Sequence, residues 1–205
     1  KNSKTIISKI MTYFVIVLVF IFLTITLYLH VFKYFIPNEI YWEGLVVVPI
    51  LLAANICLGI YTTLSIWYKL SKHTIYGAYI SGFGAILTLS INYLLIPIYG
   101  YQACAITTLI CYFSMMVVSY FLGQKHYHIP YNIKKIFLYV FIGSGLYAIS
   151  LPFEPMENYQ WAGYAYHTFL LFTFILIVYF KEIRKEKMVI LWNTFRNECE
   201  HNKFI

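Results

Sequence analysis

Six long stretches of the chain contain no Asp, Glu, Lys or Arg, and this constrains the fold more than any other feature. They are Ile10–Leu29, Gly44–Trp67, Ile75–Ile98, Tyr101–Leu122, Ile136–Phe153 and Trp161–Phe180. A bilayer core of about 30 Å needs about 20 apolar residues in a helix, whereas barrel strands have about 9–11 residues of alternating polarity. The sequence therefore predicts an all-α fold, a polytopic transmembrane bundle of six helices.

The composition excludes a water-soluble domain. The 205 residues are 61% hydrophobic and only 11% charged, whereas soluble domains are about 45–50% apolar and about 25% charged. The formal charge of +7 would suit a nucleic-acid-binding protein. Here, however, the basic residues fall between the apolar stretches, so membrane topology explains them and no nucleic-acid partner is expected.

The basic residues also predict an orientation. Fourteen of the fifteen Lys and Arg residues flank the six stretches on one side, and Lys33 alone lies on the other. Because cytoplasmic loops carry the excess of Lys and Arg, we predict that both termini of the segment face the cytoplasm. Residues 181–205 form a basic tail, which we expect either as an interfacial helix or as a solvated segment.

Small and polar residues recur at helical spacing in three of the stretches. Such stripes either pack helices together or line a shared polar cavity, and the sequence leaves both open. The second stretch carries Asn55, Gly59, Thr62 and Thr63, the third Gly77, Ser81, Gly84, Ala85, Thr88 and Asn92, and the fourth Cys104, Thr108, Cys111 and Ser114. The candidates for a substrate path are Asn55, Thr62, Ser81, Asn92 and Thr108. Asn92 is also expected to hydrogen-bond across to Thr108 and hold the two helices together.

The sequence offers no constellation for catalysis. The six stretches hold no charged residue, whereas ion and proton paths usually depend on such residues. His126 and His128 form a pair without a third metal ligand, and the glycines at 143 and 145 lie within an apolar stretch rather than at a strand-to-helix turn. We therefore expect no catalytic residue, no metal and no cofactor, and a protein that is not an enzyme.

The tightest reversal of the chain lies in NYLLIPIYGYQACAITTL, residues 92–109. Pro97 lacks a backbone donor and disfavours simple helix continuation, and Gly100 supplies backbone freedom. Tyr99 places an amphipathic ring where membrane proteins concentrate aromatic residues. These three residues predict a short turn between two transmembrane helices, on the side opposite the basic flanks.

This stretch resembles a motif of the polysaccharide (O-antigen type) flippases, which belong to the multidrug/oligosaccharidyl-lipid/polysaccharide exporter superfamily. The matching positions are Asn92, Pro97, Tyr99, Gly100, Ala105 and Thr108. At three others one small residue replaces another: Ala103 stands for Gly, and Cys104 and Thr107 each stand for Ala. The preceding PILLAANICLGIY and WYKLSKHT segments are also similar, so the resemblance covers residues 41 to about 125.

The resemblance implies a two-lobed transporter of twelve to fourteen helices, of which this chain is the C-terminal portion. Residues 1–122 would be four helices completing the C-terminal lobe, and residues 123–180 two additional helices. The implied function is translocation of a polyprenyl-pyrophosphate-linked oligosaccharide across the bacterial inner membrane, with membrane lipids and the N-terminal half of the same chain as partners. The alternatives are a drug or lipid exporter of the same superfamily and a membrane-embedded glycan-modifying enzyme.

Overall fold

The computed structural model describes residues 2–70, 73–153 and 160–183, and within these ranges it contains helices and no strand. The α-helices are α1 (Asn2–Leu27), α2 (Leu29–Lys33), α3 (Val48–Leu64), α4 (Ile66–Leu70), α5 (Ile75–Tyr99), α6 (Tyr101–His126), α7 (Ile133–Ser150) and α8 (Gln160–Val178). Tighter 3₁₀ turns occupy Glu39–Val47 and Leu151–Phe153, and a wider π turn occupies Tyr179–Ile183.

Six of the described helical stretches are long and apolar enough to cross a membrane. They are Lys4–Leu27, Tyr41–Leu70, Ile75–Tyr99, Tyr101–His126, Ile133–Ser150 and Gly163–Glu182. The predicted all-α bundle of six membrane helices is thus confirmed, and the protein is membrane-embedded. The orientation of its termini stays a prediction.

The chain divides into two compact units, Lys1–Leu151 and Pro152–Ile205. In the first unit, α1 packs between α7 and α3, and α6 packs between α3 and α5. Because α7 packs against α1, this unit extends past residue 122, and the predicted domain boundary there stays a prediction. The second unit contains α8, and most of the predicted basic tail lies outside the described residues.

Helix α1 is the most enclosed of the six spans, with 50% of its apolar window buried compared with 11% for α5. Its buried side chains follow the three-and-four spacing of one helix face, as at Val15, Val19 and Leu23. A Cβ at Gly59 of α3 would overlap Leu18, and one at Gly143 of α7 would overlap Val19. These glycines allow close approach to α1, as expected for helices packing in lipid.

Candidate substrate path

A line of exposed polar residues runs along one face of α3 and α4. Asn55 and Thr62 are exposed and lie seven residues apart, which places them on the same helix face. Lys69 of α4 is also exposed and lies seven residues further on. The backbone at the intervening Ser65 keeps a right-handed helical conformation, with φ −60° and ψ −13°. We call Asn55, Thr62 and Lys69 the α3–α4 polar line.

The first two members of this line each use one donor within their own helix. The Asn55 amide donates to the Leu51 carbonyl at 2.9 Å, and the Thr62 hydroxyl donates to the Gly59 carbonyl at 2.8 Å. Their oxygens keep acceptor capacity on the exposed side. The line therefore presents the amide and hydroxyl oxygens as acceptors and the second amide hydrogen of Asn55 as a donor.

The break between α3 and α4 has a local cause that involves no proline. The hydroxyls of Thr62 and Thr63 both donate to the Gly59 carbonyl, the second at 3.1 Å. The Ser65 hydroxyl donates to the Thr62 carbonyl at 2.6 Å. Ser and Thr side chains that bond to preceding carbonyls often bend helices. This cluster explains why α3 ends at Leu64.

Ser81 of α5 is exposed but lies beside α3 and α4. The Tyr61 hydroxyl interacts with the side chains of both Tyr68 and Ser81. Ser81 is therefore connected to the polar face through buried tyrosines rather than by direct contact with Thr62. This interaction associates a candidate on α5 with the second span.

The hairpin between α5 and α6 forms at the predicted place. Helix α5 continues through Pro97 to Tyr99, and Gly100 makes the reversal with φ +57°. The Gly100 amide donates to the Ile96 carbonyl at 2.9 Å. Pro97 and Tyr99 are both exposed. Glycine suits this position because other residues pay a steric penalty in the left-handed region.

The expected hydrogen bond between Asn92 and Thr108 is not formed. The Thr108 hydroxyl donates instead to the Cys104 carbonyl of its own helix, at 2.7 Å. The Asn92 side-chain oxygen is buried without a hydrogen-bond partner. The prediction was wrong because it overlooked the carbonyl one turn back, which a helical threonine reaches without a second helix.

The interior stripe of α6 differs from the predicted one. Cys111 is buried and its thiol donates to the Gly84 carbonyl of α5 at 3.3 Å, but Cys104 is exposed. Apart from Ala105, the buried positions recur at every fourth residue: Ala103, Thr107, Cys111, Met115, Ser119 and Gly123. The signal was visible as small residues four apart, starting one position earlier than the stripe that the sequence analysis chose.

Sequence reasoning also missed an aromatic cluster where α4, α5 and α6 meet. The His126 ring stacks on Trp67 with centroids 5.7 Å apart and planes 16° from parallel. The Tyr76 hydroxyl lies 3.2 Å from His126 Nε2. His128 does not join this group, and its carbonyl accepts a hydrogen bond from Lys4. Trp67 and His126 are far apart in the chain, so only the register of α3 against α6 could have revealed the contact.

Taken together, the candidates form separate sites rather than one. Asn55 and Thr62 share the exposed face of α3, Ser81 adjoins it through Tyr61, and Asn92 and Thr108 lie near the hairpin. Comparison of the chain with protein-family models, with curated proteins and with solved structures finds no match. The function must therefore be argued from the geometry and the motif.

Proposed function

We propose that this chain forms part of a transporter that moves a lipid-linked oligosaccharide across a bacterial inner membrane. The observation that carries the proposal is the α3–α4 polar line, which is exposed on a span long and apolar enough to cross a membrane. Placing an amide or hydroxyl in hydrocarbon without full hydrogen bonding costs roughly 2–7 kcal/mol, depending on the reference state. Such a face favours contact with a hydrated path over contact with lipid tails.

The chemistry of the line suits both parts of the proposed headgroup. Amide and hydroxyl groups at Asn55 and Thr62 match the hydroxyls of a sugar, which both donate and accept hydrogen bonds. The ammonium of Lys69 suits the charge of a pyrophosphate. The polyprenyl tail would stay in the bilayer, and the resemblance of the hairpin motif to flippases supports the same substrate class.

Deletion of the coding gene in the native host tests the function. We expect surface polysaccharide to fall while the polyprenyl-linked oligosaccharide accumulates in the inner membrane, because synthesis continues without translocation. Loss of polysaccharide without accumulation would indicate an enzyme that makes or modifies the precursor. Normal polysaccharide with raised drug sensitivity would indicate a drug exporter, and either result would overturn the proposal.

Variants of the polar line test the site within the full-length protein. We expect Asn55→Leu to lower export at least tenfold at normal membrane abundance, because it removes an amide from the path without removing a packed side chain. Thr24→Val is the matched control, since the Thr24 hydroxyl also donates within its own helix, to Phe20 at 2.9 Å. Export by Asn55→Leu as high as that by Thr24→Val would exclude the polar line from the path.

A further inference from the structure

The connection between α1 and α3 lies where the membrane ends. The first span ends at Leu27 and the next begins at Tyr41. Between them the chain forms α2 and a short turn, and none of the α2 residues is buried in the protein. We call residues 28–47 the α1–α3 connection. Residues 28–40 lie between the two spans and residues 41–47 begin the second, which puts the connection at one face of the bilayer.

Four of the six aromatic side chains of this connection are exposed. Tyr34 and Phe35 are 76% and 79% exposed, and Phe32 and Tyr41 are also exposed. The half-buried positions of residues 28–42 are Leu29, Val31, Lys33 and Ile36 together with two further rings, Tyr28 and Trp42. Contiguous exposed rings are unfavourable in water and mark an interaction surface.

The connection is held in a defined conformation. The Lys33 ammonium lies 3.9 Å from the centre of the Trp42 ring, and the Trp42 indole donates to the Ile36 carbonyl at 3.3 Å. The Tyr101 hydroxyl donates to the Glu43 carbonyl at 3.3 Å and thus ties the connection to the start of α6. The rings therefore project from a fixed base.

The backbone that carries these rings satisfies its donors locally. The amides of Tyr34, Phe35 and Ile36 each donate to the carbonyl three residues earlier, at 3.1–3.2 Å. Unsatisfied backbone groups are costly wherever water is scarce. This segment can therefore enter the headgroup region without leaving those amides unpaired.

We propose that the rings of Phe32, Tyr34, Phe35 and Tyr41 insert into the phospholipid headgroup region at this end of α1 and anchor the connection there. Aromatic residues concentrate at this depth because an apolar ring meets hydrocarbon while a hydroxyl stays wet. Lys33 adds a cation near the lipid phosphates, beside the Trp42 ring. This anchoring does not depend on which substrate the protein carries.

Aromatic rings also stack on sugars, but the arrangement favours lipid. Two of the four rings are phenylalanines without a hydroxyl, and all four adjoin the ends of membrane spans. A bilayer covers such rings in every state of the protein. An oligosaccharide would cover them only while it was bound.

Spin labelling of the full-length protein in phosphatidylcholine vesicles tests the proposal. A nitroxide would be attached to Phe35→Cys in a background with Cys57 and Cys104 replaced by Ala and Cys199 by Ser. The buried Cys111 is retained. We expect the label to collide more often with oxygen than with a water-soluble nickel chelate. The matched control, Asn132→Cys in the exposed loop at the other end of α1, should show the reverse.

Nickel collisions at position 35 as frequent as those at position 132 would overturn the proposal. So would a label that reaches the nickel chelate in vesicles and is shielded only when soluble maltoheptaose is added, because the rings would then bind sugar. Tyr34→Cys gives a second position for the same measurement. Neither exposed ring is buried against the protein, so both variants are expected to fold.

Discussion

The connections at the two ends of α1 differ in how far their apolar side chains are exposed. The loop between α6 and α7 (residues 127–132) buries Ile129 to 1% exposure against the protein, whereas the α1–α3 connection exposes Phe35 to 79%. Both are rich in aromatic residues. The difference shows that one loop packs its apolar side chain against the protein, whereas the other leaves it free for the membrane anchoring proposed above.

Hydrogen bonding in the α6–α7 loop supports this distinction. Its three central carbonyls accept bonds from protein side chains: His128 from Lys4 at 2.9 Å, Ile129 from Gln124 at 2.9 Å and Pro130 from Ser8 at 2.7 Å. Two of these donors belong to α1. The loop is thus bonded to one end of α1. The α1–α3 connection, at the opposite end, leaves four of its rings exposed.

Cysteine labelling from one side of the membrane is expected to react with one connection and not with the other. Cysteine at Asn38 should react with an impermeant reagent in intact cells, and cysteine at Asn132 should react only after permeabilisation. Both positions are exposed in the structure, and the basic flanks predict opposite sides for them. Reaction of Asn132→Cys in intact cells would contradict the predicted orientation.

Truncation of one apolar side chain in each connection should give unequal losses of stability in detergent. Ile129→Ala is expected to lower the free energy of unfolding by about 2–5 kcal/mol, because it leaves a cavity. Phe35→Ala should change it by less than about 0.5 kcal/mol, as is usual for surface substitutions. Thermal unfolding of the two purified variants measures this, and similar losses would remove the distinction between the connections.

Hydropathy predicted the six spans but not the sides that they bury. A span needs length and apolar character, both of which can be read from the residues, and in lipid an outward face is as apolar as an inward one. Tyr93 and Ile80 on α5 illustrate this, since the first is exposed and the second buried. Hence the sequence could offer Asn55 and Thr62 as substrate-path candidates. Their exposure on one face of α3 could be recognised only once the packing of α3 against α1 and α6 was known.

A methyl group added at Gly123 of α6, beside Trp67, should lower stability. One added at Gly82, on the open face of α5, should not. A Cβ at Gly123 would lie 2.8 Å from Trp67 Cδ1, whereas one at Gly82 meets nothing within 4 Å. We expect Gly123→Ala to cost about 1–3 kcal/mol by overpacking. Gly82→Ala should be neutral or stabilising by up to about 1 kcal/mol, because alanine favours the helix. Melting temperatures that fall equally for both would contradict the packing at Trp67.

The smallest expected effect concerns Tyr131, whose buried hydroxyl has no hydrogen-bond partner in the α6–α7 loop. Tyr131→Phe should therefore leave the melting temperature at pH 7 unchanged or slightly higher, since no bond is lost. Burial raises the pKa of Tyr131 from 10 to about 12. The folded state thus favours the neutral phenol, and its contribution to stability is complete below pH 10 and is lost as the pH rises toward 12.

The difference in melting temperature between wild type and Tyr131→Phe, followed from pH 8 to about pH 11.5, isolates this titration from the other tyrosines and lysines. We expect wild type to lose stability relative to the variant only above pH 10, because phenylalanine has no proton to release. A constant difference across this range would mean that the loop leaves the Tyr131 phenol hydrated. A clear drop in the melting temperature of Tyr131→Phe at pH 7 would mean that the hydroxyl is bonded. The first result would make this loop more like the exposed connection at the other end of α1, whereas the second would add one more protein contact to the loop.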